Sequence, residues 1–227
     1  MLSKHMAVIT VLYFYRTGVA LIVMIDVIQR KVGKMQNFTY LLWDSSTNEG
    51  AVVDPSFDAS AVLSEALKDN IRIRYVLLTH HHFDHVQDAE RLSSITSSRI
   101  VAHSSSPVRK DMPVEDGSRL ELGNSFIEVI HTPGHTADSC CYLAGGRLFT
   151  GDTLFVGECG RVDLEDSDPE SMFTSLLVRL RSLPDGTVVY PGHDYGKTPF
   201  STIGEEKRSN YTMKERTKEE FLSFITS

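Results

Sequence analysis

The chain has 227 residues, enough for one substantial core and barely enough for two. Apolar residues at 41% and charged residues at 23% are ordinary for a globular protein. A net charge of −7, a pI near 5.7 and the lack of any dense Lys/Arg cluster exclude an extended nucleic-acid-binding surface and fit a cytoplasmic enzyme.

From Met6 to Ile25 the sequence is nearly all apolar except for Arg16. A membrane-spanning helix would place that arginine near mid-bilayer, at about 2.5–3.5 kcal/mol. Gly18-Val19-Ala20 is a poor signal-peptidase site. The wealth of Val, Ile, Tyr and Phe favours an extension or extra strand over residues 1–23. A membrane anchor ranks second, and a true start at Met24 is a third reading. No membrane association is expected, and residues 24–227 read as one domain.

Strands are predicted at Ile25–Gln29, Phe38–Trp43 and Ala51–Val53, then a helix over Asp58–Leu67 capped by Ser56 or Asp58. Arg74–Leu78 is a near-continuous apolar run, the type buried on both faces of a sheet. It leads directly into Thr79-His80-His81-His82-Phe83-Asp84-His85, and a helix follows to about Leu92. Further strands are predicted at Arg99–Ala102, Phe126–Ile130, Ser139–Leu143, Arg147–Thr150 and Thr187–Tyr190. A helix is expected from Asp168-Pro169 to about Leu183, with Pro in its first turn. Thr202–Glu205 and Thr217–Glu220 each match a capping box. Strands alternating with helices, without repeats or linkers, make this an α/β fold.

The three cysteines, Cys140, Cys141 and Cys159, form no Cys-x-x-Cys pair and argue against a disulfide framework. The histidines are more telling. His80, His82, Asp84 and His85 follow an apolar strand, where open α/β sheets present ligands to a crevice. In extended backbone His80 and His82 point the same way and can share an ion, while Asp84 and His85 turn toward a neighbour. His135 follows Thr-Pro-Gly at the next strand end, Asp152 follows Gly151, and His193 follows Tyr-Pro-Gly. Seven ligands describe a dinuclear centre: His80, His82 and His135 on one ion, Asp84, His85 and His193 on the other, Asp152 bridging. Structural zinc sites close with four ligands, so a larger shared set points to catalysis. His81, His103 and His131 read as surface or hydrogen-bonded residues.

The series His-x-His-x-Asp-His, His135, Asp152, His193 resembles the metallo-β-lactamase superfamily over about Met24–Asn210. That resemblance implies an αββα sandwich of two mixed sheets flanked by helices, with the metals at one edge. Within it, NFTYLL, AVVDP, LLTHHHFDH, HTPGHT, FTGDTLFVGECGR and YPGHDY are similar to glyoxalase II, which hydrolyses S-lactoylglutathione. The similarity implies an acyl-thioester hydrolase acting on a small-molecule thiol derivative. It would use two divalent ions, zinc first and iron or manganese as options, to supply hydroxide at neutral pH. The similarity further implies Asp84 and Asp152 as the catalytic carboxylates, and Arg161 and Tyr195 as the substrate contacts.

Asp163 stands where that family has an aromatic residue, and Gln87-Asp88 replaces its usual Gly-Gly. The helical substrate-binding segment after the last histidine motif has no counterpart, since only Asp194–Phe200 intervene. The short C-terminus and Gly160-Arg161-Val162-Asp163 resemble the persulfide dioxygenases. These imply one Fe(II), held at His80, His135 and Asp152. A lactonase-like hydrolase and a non-catalytic metal-binding scaffold are further alternatives, and a homodimer is an open assembly option.

Overall fold

Ile25–Val32 (β3), Asn37–Asp44 (β4), Glu49–Val53 (β5), Arg72–Leu77 (β6), Arg99–His103 (β7) and Met112–Val114 (β8) form one six-stranded sheet in that order. Its first three strands are antiparallel, and β5 to β8 are parallel. The second sheet holds Arg119–Leu122 (β9), Ser125–His131 (β10), Cys140–Ala144 (β11), Arg147–Gly151 (β12), Val188–Pro191 (β13) and Ser201–Thr202 (β14) in sequence order. Only β12 and β13 run parallel in it. Both sheets are therefore mixed. The computed structural model describes residues 11–14 and 20–226. Val11–Phe14 (β1) and Ala20–Val23 (β2) pair as a separate two-stranded antiparallel sheet. The expectations for residues 1–10 and 15–19 lie outside the described residues. Among the described residues no helix is long and apolar enough to cross a membrane.

The period-2 rule of strands builds the layers. Tyr40 and Leu42 of β4 and Tyr75 and Leu77 of β6 point into the space between the sheets, where Ile127, Val129, Tyr142 and Phe149 meet them. Leu41 and Val76 point the other way. They pack with Val62 and Ala66 of Ser60–Lys68 (α1) and Leu92 of Ala89–Thr96 (α3). Cys141, Leu148 and Val189 cover the outer face of the second sheet, with Met172 of Pro169–Phe173 (α4), Ile203 of Ile203–Ser209 (α5) and Phe221 of Lys218–Ile225 (α6). Helix, sheet, sheet, helix is the resulting order, and strands buried on both faces explain why FTYLLW lacks polar alternation.

Several local expectations are corrected. The helix after the histidine cluster is broken into Phe83–Val86 (α2) and α3, because the Asp88 backbone N–H donates to the Pro55 carbonyl at 3.0 Å instead of to the preceding turn. The Asp88 carboxylate takes the Ala59 backbone N–H at 2.9 Å and the Arg91 guanidinium at 2.5 Å. Ala59, not Ser56 or Asp58, occupies the N-cap of α1, although the Asp58 carboxylate does accept the Ser60 N–H at 2.9 Å. Past α4 the chain loosens into a π turn at Thr174–Arg179 and a tight turn at Leu180–Ser182. Thr217 and Glu220 form the full capping box, whereas Thr202 caps only in one direction, accepting from the Glu205 N–H.

Candidate metal centre

The centre lies where both sheets end on one edge. β6 delivers Thr79 through His85, the turn after β10 delivers His135, β12 delivers Asp152 and β13 delivers His193. The sheets are stitched there by main-chain bonds: the Phe38 N–H donates to the Gly192 carbonyl at 2.7 Å, and the Asp194 N–H to the Gln36 carbonyl at 2.9 Å. Gly151 adopts φ +49°, a left-handed turn, and a Cβ there would lie 2.4 Å from Thr79 Oγ1. That turn swings Asp152 inward. Gly192 is as restricted, since a Cβ on it would lie 2.3 Å from Asp152 Oδ1.

All seven sequence-derived ligand candidates converge. His82 Nδ1 is 3.1 Å from both His80 Nε2 and His135 Nε2. His85 Nε2 and His193 Nε2 are 3.2 Å apart, with Asp84 Oδ2 at 3.5 and 3.4 Å from them. Asp152 sits between the two groups: Oδ1 is 3.4 Å from His85 Nε2, while Oδ2 is 3.4 Å from His193 Nε2 and 3.6 Å from His135 Nε2. His80, His82 and His135 form one triad able to hold an ion, and Asp84, His85 and His193 another; His80, His85 and Asp152 span the two.

Tautomers decide what these contacts are. His135 donates Nδ1–H to the Arg161 carbonyl at 2.9 Å, and His193 donates Nδ1–H to the Met35 carbonyl at 2.9 Å. His85 Nδ1 lies 2.9 Å from Asp54 Oδ2. Thr79 Oγ1 donates to Asp54 at 2.7 Å and so presents a lone pair to His80 Nδ1 at 3.1 Å. With Nδ1 protonated in all four rings, each Nε2 aims a lone pair at the centre. The Nε2 lone pairs of neutral His85 and His193 would face each other at 3.2 Å and repel unless a cation, a proton or a metal ion, lies between them. Two ligand atoms each on a tetrahedral zinc at ordinary bond lengths stand about 3.3 Å apart, close to these spacings. Asp152 Oδ1, buried and without a hydrogen-bond partner, completes the fit to a metal.

The electrostatics agree. Burial pushes the His80 imidazole well below its ordinary pKa, and the neighbouring His85 adds to this, leaving the neutral form that a ligand requires. Burial would depress His85 too, but Asp152, Asp54 and Asp84 outweigh it and raise its pKa to about 9. The carboxylates therefore favour positive charge at the second triad. Burial would raise the Asp152 carboxyl; His85, His193 and His80 prevail and hold it ionised.

Asp54, Asn37 and Thr79 support the centre and carry no metal-ligand signature in the sequence. Asp54 keeps a left-handed backbone at φ +46°, a strain of about 1–3 kcal/mol for a residue with a side chain. Its carboxylate accepts from the Thr79 N–H at 2.8 Å and the Thr79 hydroxyl, besides holding His85. Asn37 Nδ2 donates to Asp84 Oδ2 at 2.8 Å and orients that carboxylate. Asp54→Ala is expected to weaken metal binding about 10- to 100-fold, measured by competition with a chromogenic chelator. An unchanged affinity would show that Asp54 only shapes the turn.

Of the expected substrate contacts, Tyr195 stacks on His193 at 4.6 Å and 9° and is half exposed. The Arg161 side chain is exposed and engages Asp163 through two 2.8 Å contacts; its carbonyl is what reaches the centre. His81 donates Nδ1–H to Asp138 Oδ1 at 2.8 Å and its Nε2 lies 3.6 Å from Asp166. His103 and His131 stack at 3.9 Å and 6° away from the triads. Cys140, Cys141 and Cys159 are buried free thiols.

Residues 32–193 match the family model described as metallo-beta-lactamase superfamily. A probable polyketide biosynthesis zinc-dependent hydrolase, BaeB, of Bacillus velezensis is 34% identical, over 83% of this chain and 86% of its own length. The cytoplasmic hydroxyacylglutathione hydrolase of Arabidopsis thaliana is 39% identical over 70% of this chain and 64% of its own. The mitochondrial persulfide dioxygenase ETHE1 of Bos taurus is 30% identical over 78% and 71%. Among solved structures, ETHE1 from Myxococcus xanthus superposes with a TM-score of 0.84 at 32% identity, covering 89% of this chain and 90% of that one. With the sandwich, the convergent ligands and these matches together, the chain belongs to the metallo-β-lactamase superfamily of enzymes.

Proposed function

We propose that the chain hydrolyses an acyl thioester of a small-molecule thiol, in the manner of glyoxalase II, with two divalent ions, zinc first among them. The observation that carries this reading is the pair of complete triads with Asp152 between them. His80, His82 and His135 would hold one ion, Asp84, His85 and His193 the other, and Asp152 both. Such ions, when bound, lower the pKa of a water toward neutrality and polarise a carbonyl oxygen.

The chain's own residues supply the rest. Asp84, fixed by Asn37, orients the water that attacks the carbonyl carbon. The water's first proton leaves to solvent, the carbon–oxygen bond forms, the carbon–sulfur bond breaks, and the water's second proton ends on the departing thiolate. A thiolate leaves readily, so no separate general acid is needed. Tyr195, stacked beside His193, and Arg161 at the His135 side are the proposed contacts to the substrate. The relative named a zinc-dependent hydrolase, which this chain matches over most of both lengths, supports hydrolysis.

Thiol release from a lactoyl thioester by zinc-loaded protein is the test; release no faster than in buffer would sink the reading. Arg161 must exchange Asp163 for the substrate, so its contribution is modest. Arg161→Ala is expected to raise KM several-fold, with kcat held within about twofold, as for an interaction made equally in ground and transition states. An unchanged KM would remove Arg161 from the site.

A second reading is a persulfide dioxygenase with one Fe(II) held by His80, His135 and Asp152. Two imidazoles and a carboxylate are a common setting for non-haem iron. The 0.84 TM-score to ETHE1 from Myxococcus xanthus favours it.

A further inference from the structure

Eight large apolar side chains are exposed among the described residues, and three border the metal centre: Met35 at 41%, Phe83 at 64% and Tyr195 at 53%. Their placement is tied to the ligands themselves. The Met35 carbonyl accepts from His193 Nδ1 and, at 3.4 Å, from the Tyr195 hydroxyl. Phe83 lies between His82 and Asp84 in the chain. Phe57 meets Phe83 edge-on at 6.2 Å and lies against Gly33, in the same turn as Met35. Tyr195, the turn at residues 33–36 that carries Met35, and the Phe57–Phe83 pair against that turn thus follow one another as an arc along the second triad. Charged groups occupy the other border, at the Arg161–Asp163 pair and at Asp166 beside His81.

Single exposed apolar residues are ordinary, but several gathered around one turn beside a cluster of inward-facing ligands mark a ligand contact. We propose that this arc seats an apolar acyl chain, so that the preferred thioesters carry a medium-length alkyl or aryl acyl group rather than a small hydroxylated one. This rests on the thioester-hydrolase reading, and it concerns the acyl side of the scissile bond. The thiol side falls to the Arg161 border. Full burial of a methylene is worth about a fourfold gain in affinity, and contact along one side roughly twofold.

The experiment compares kcat/KM of zinc-loaded protein on acetyl, butanoyl, hexanoyl and octanoyl thioesters of one thiol, beside the lactoyl thioester. Calorimetric affinities for the matching S-alkyl thioethers, which cannot be hydrolysed, run in parallel. Both series are expected to rise about twofold per methylene, with the slope flattened in Met35→Ser and Phe83→Ser. Met35→Ser carries the comparison if Phe83→Ser, next to two ligands, fails to fold. A flat or falling wild-type series, or a slope untouched by Met35→Ser, overturns the acyl-chain assignment and leaves thioester hydrolysis standing. If no thioester is turned over, the proposed function falls and the thioether affinities decide. A rise with length that Met35→Ser flattens keeps the arc as a binding surface, and a flat series removes it.

Discussion

Replacing His193 by alanine is expected to lose about one metal equivalent and to lower thioester turnover at least a hundredfold. His193 Nε2 sits 3.2 Å from His85 Nε2 and 3.4 Å from carboxylate oxygens of both Asp84 and Asp152. It also closes the second triad from β13, the strand opposite the His80–His85 segment. Without it, Asp84, His85 and the shared Asp152 remain as an open half-site in which one of the three ligands is already committed to the other ion. His135→Ala should remove the first ion by the same logic. In a chain that works through one iron on His80, His135 and Asp152, the two variants would separate. His193→Ala would keep its iron and its oxygen consumption, and His135→Ala would lose both. Metal analysis of each variant, with circular dichroism to confirm folding, distinguishes the outcomes.

Chelation is expected to lower the melting temperature steeply. Buried carboxylates and inward lone pairs from four separate chain segments are held together at this edge, and an ion offsets their repulsion. An ion present at about a thousand times its Kd stabilises the folded state by about 4 kcal/mol. For a chain of this length each kcal/mol is worth about 2–4 °C, so removal should cost roughly 8–16 °C. Differential scanning calorimetry with and without a strong chelator reads this directly. Equal midpoints would mean that the fold carries the centre without metal.

The family, the strands of both sheets and the residues that converge on one sheet edge were legible in the sequence because each leaves a periodic or chemical mark. Apolar runs bounded by turns marked β3 to β7 and β10 to β13. Imidazoles and carboxylates placed just after those runs marked the centre. What stayed hidden had no such mark. Asp54 precedes a proline and reads as an ordinary turn residue; its hold on His85 exists only once β5 and β6 lie side by side. The carbonyls of Met35 and Arg161, which set two histidine tautomers, are backbone atoms that any residue would carry. β8 is three residues long with a proline inside, below the length at which alternation can be seen. β9, by contrast, does alternate, with Leu120 and Leu122 buried between exposed Arg119 and Glu121. That signal was available. The break between α2 and α3 falls at Gln87-Asp88, but the reason for it, an Asp88 N–H drawn to the Pro55 carbonyl, is tertiary.

The central claim is that two ions and seven ligands make a thioester hydrolase. Metal analysis of anaerobically purified protein, paired with assays on a lactoyl thioester and on a glutathione persulfide, tests it most directly. The account predicts about two divalent ions per chain, rapid thiol release from the thioester and no oxygen consumption with the persulfide. One iron per chain, oxygen uptake with persulfide and inertness toward thioesters would contradict it.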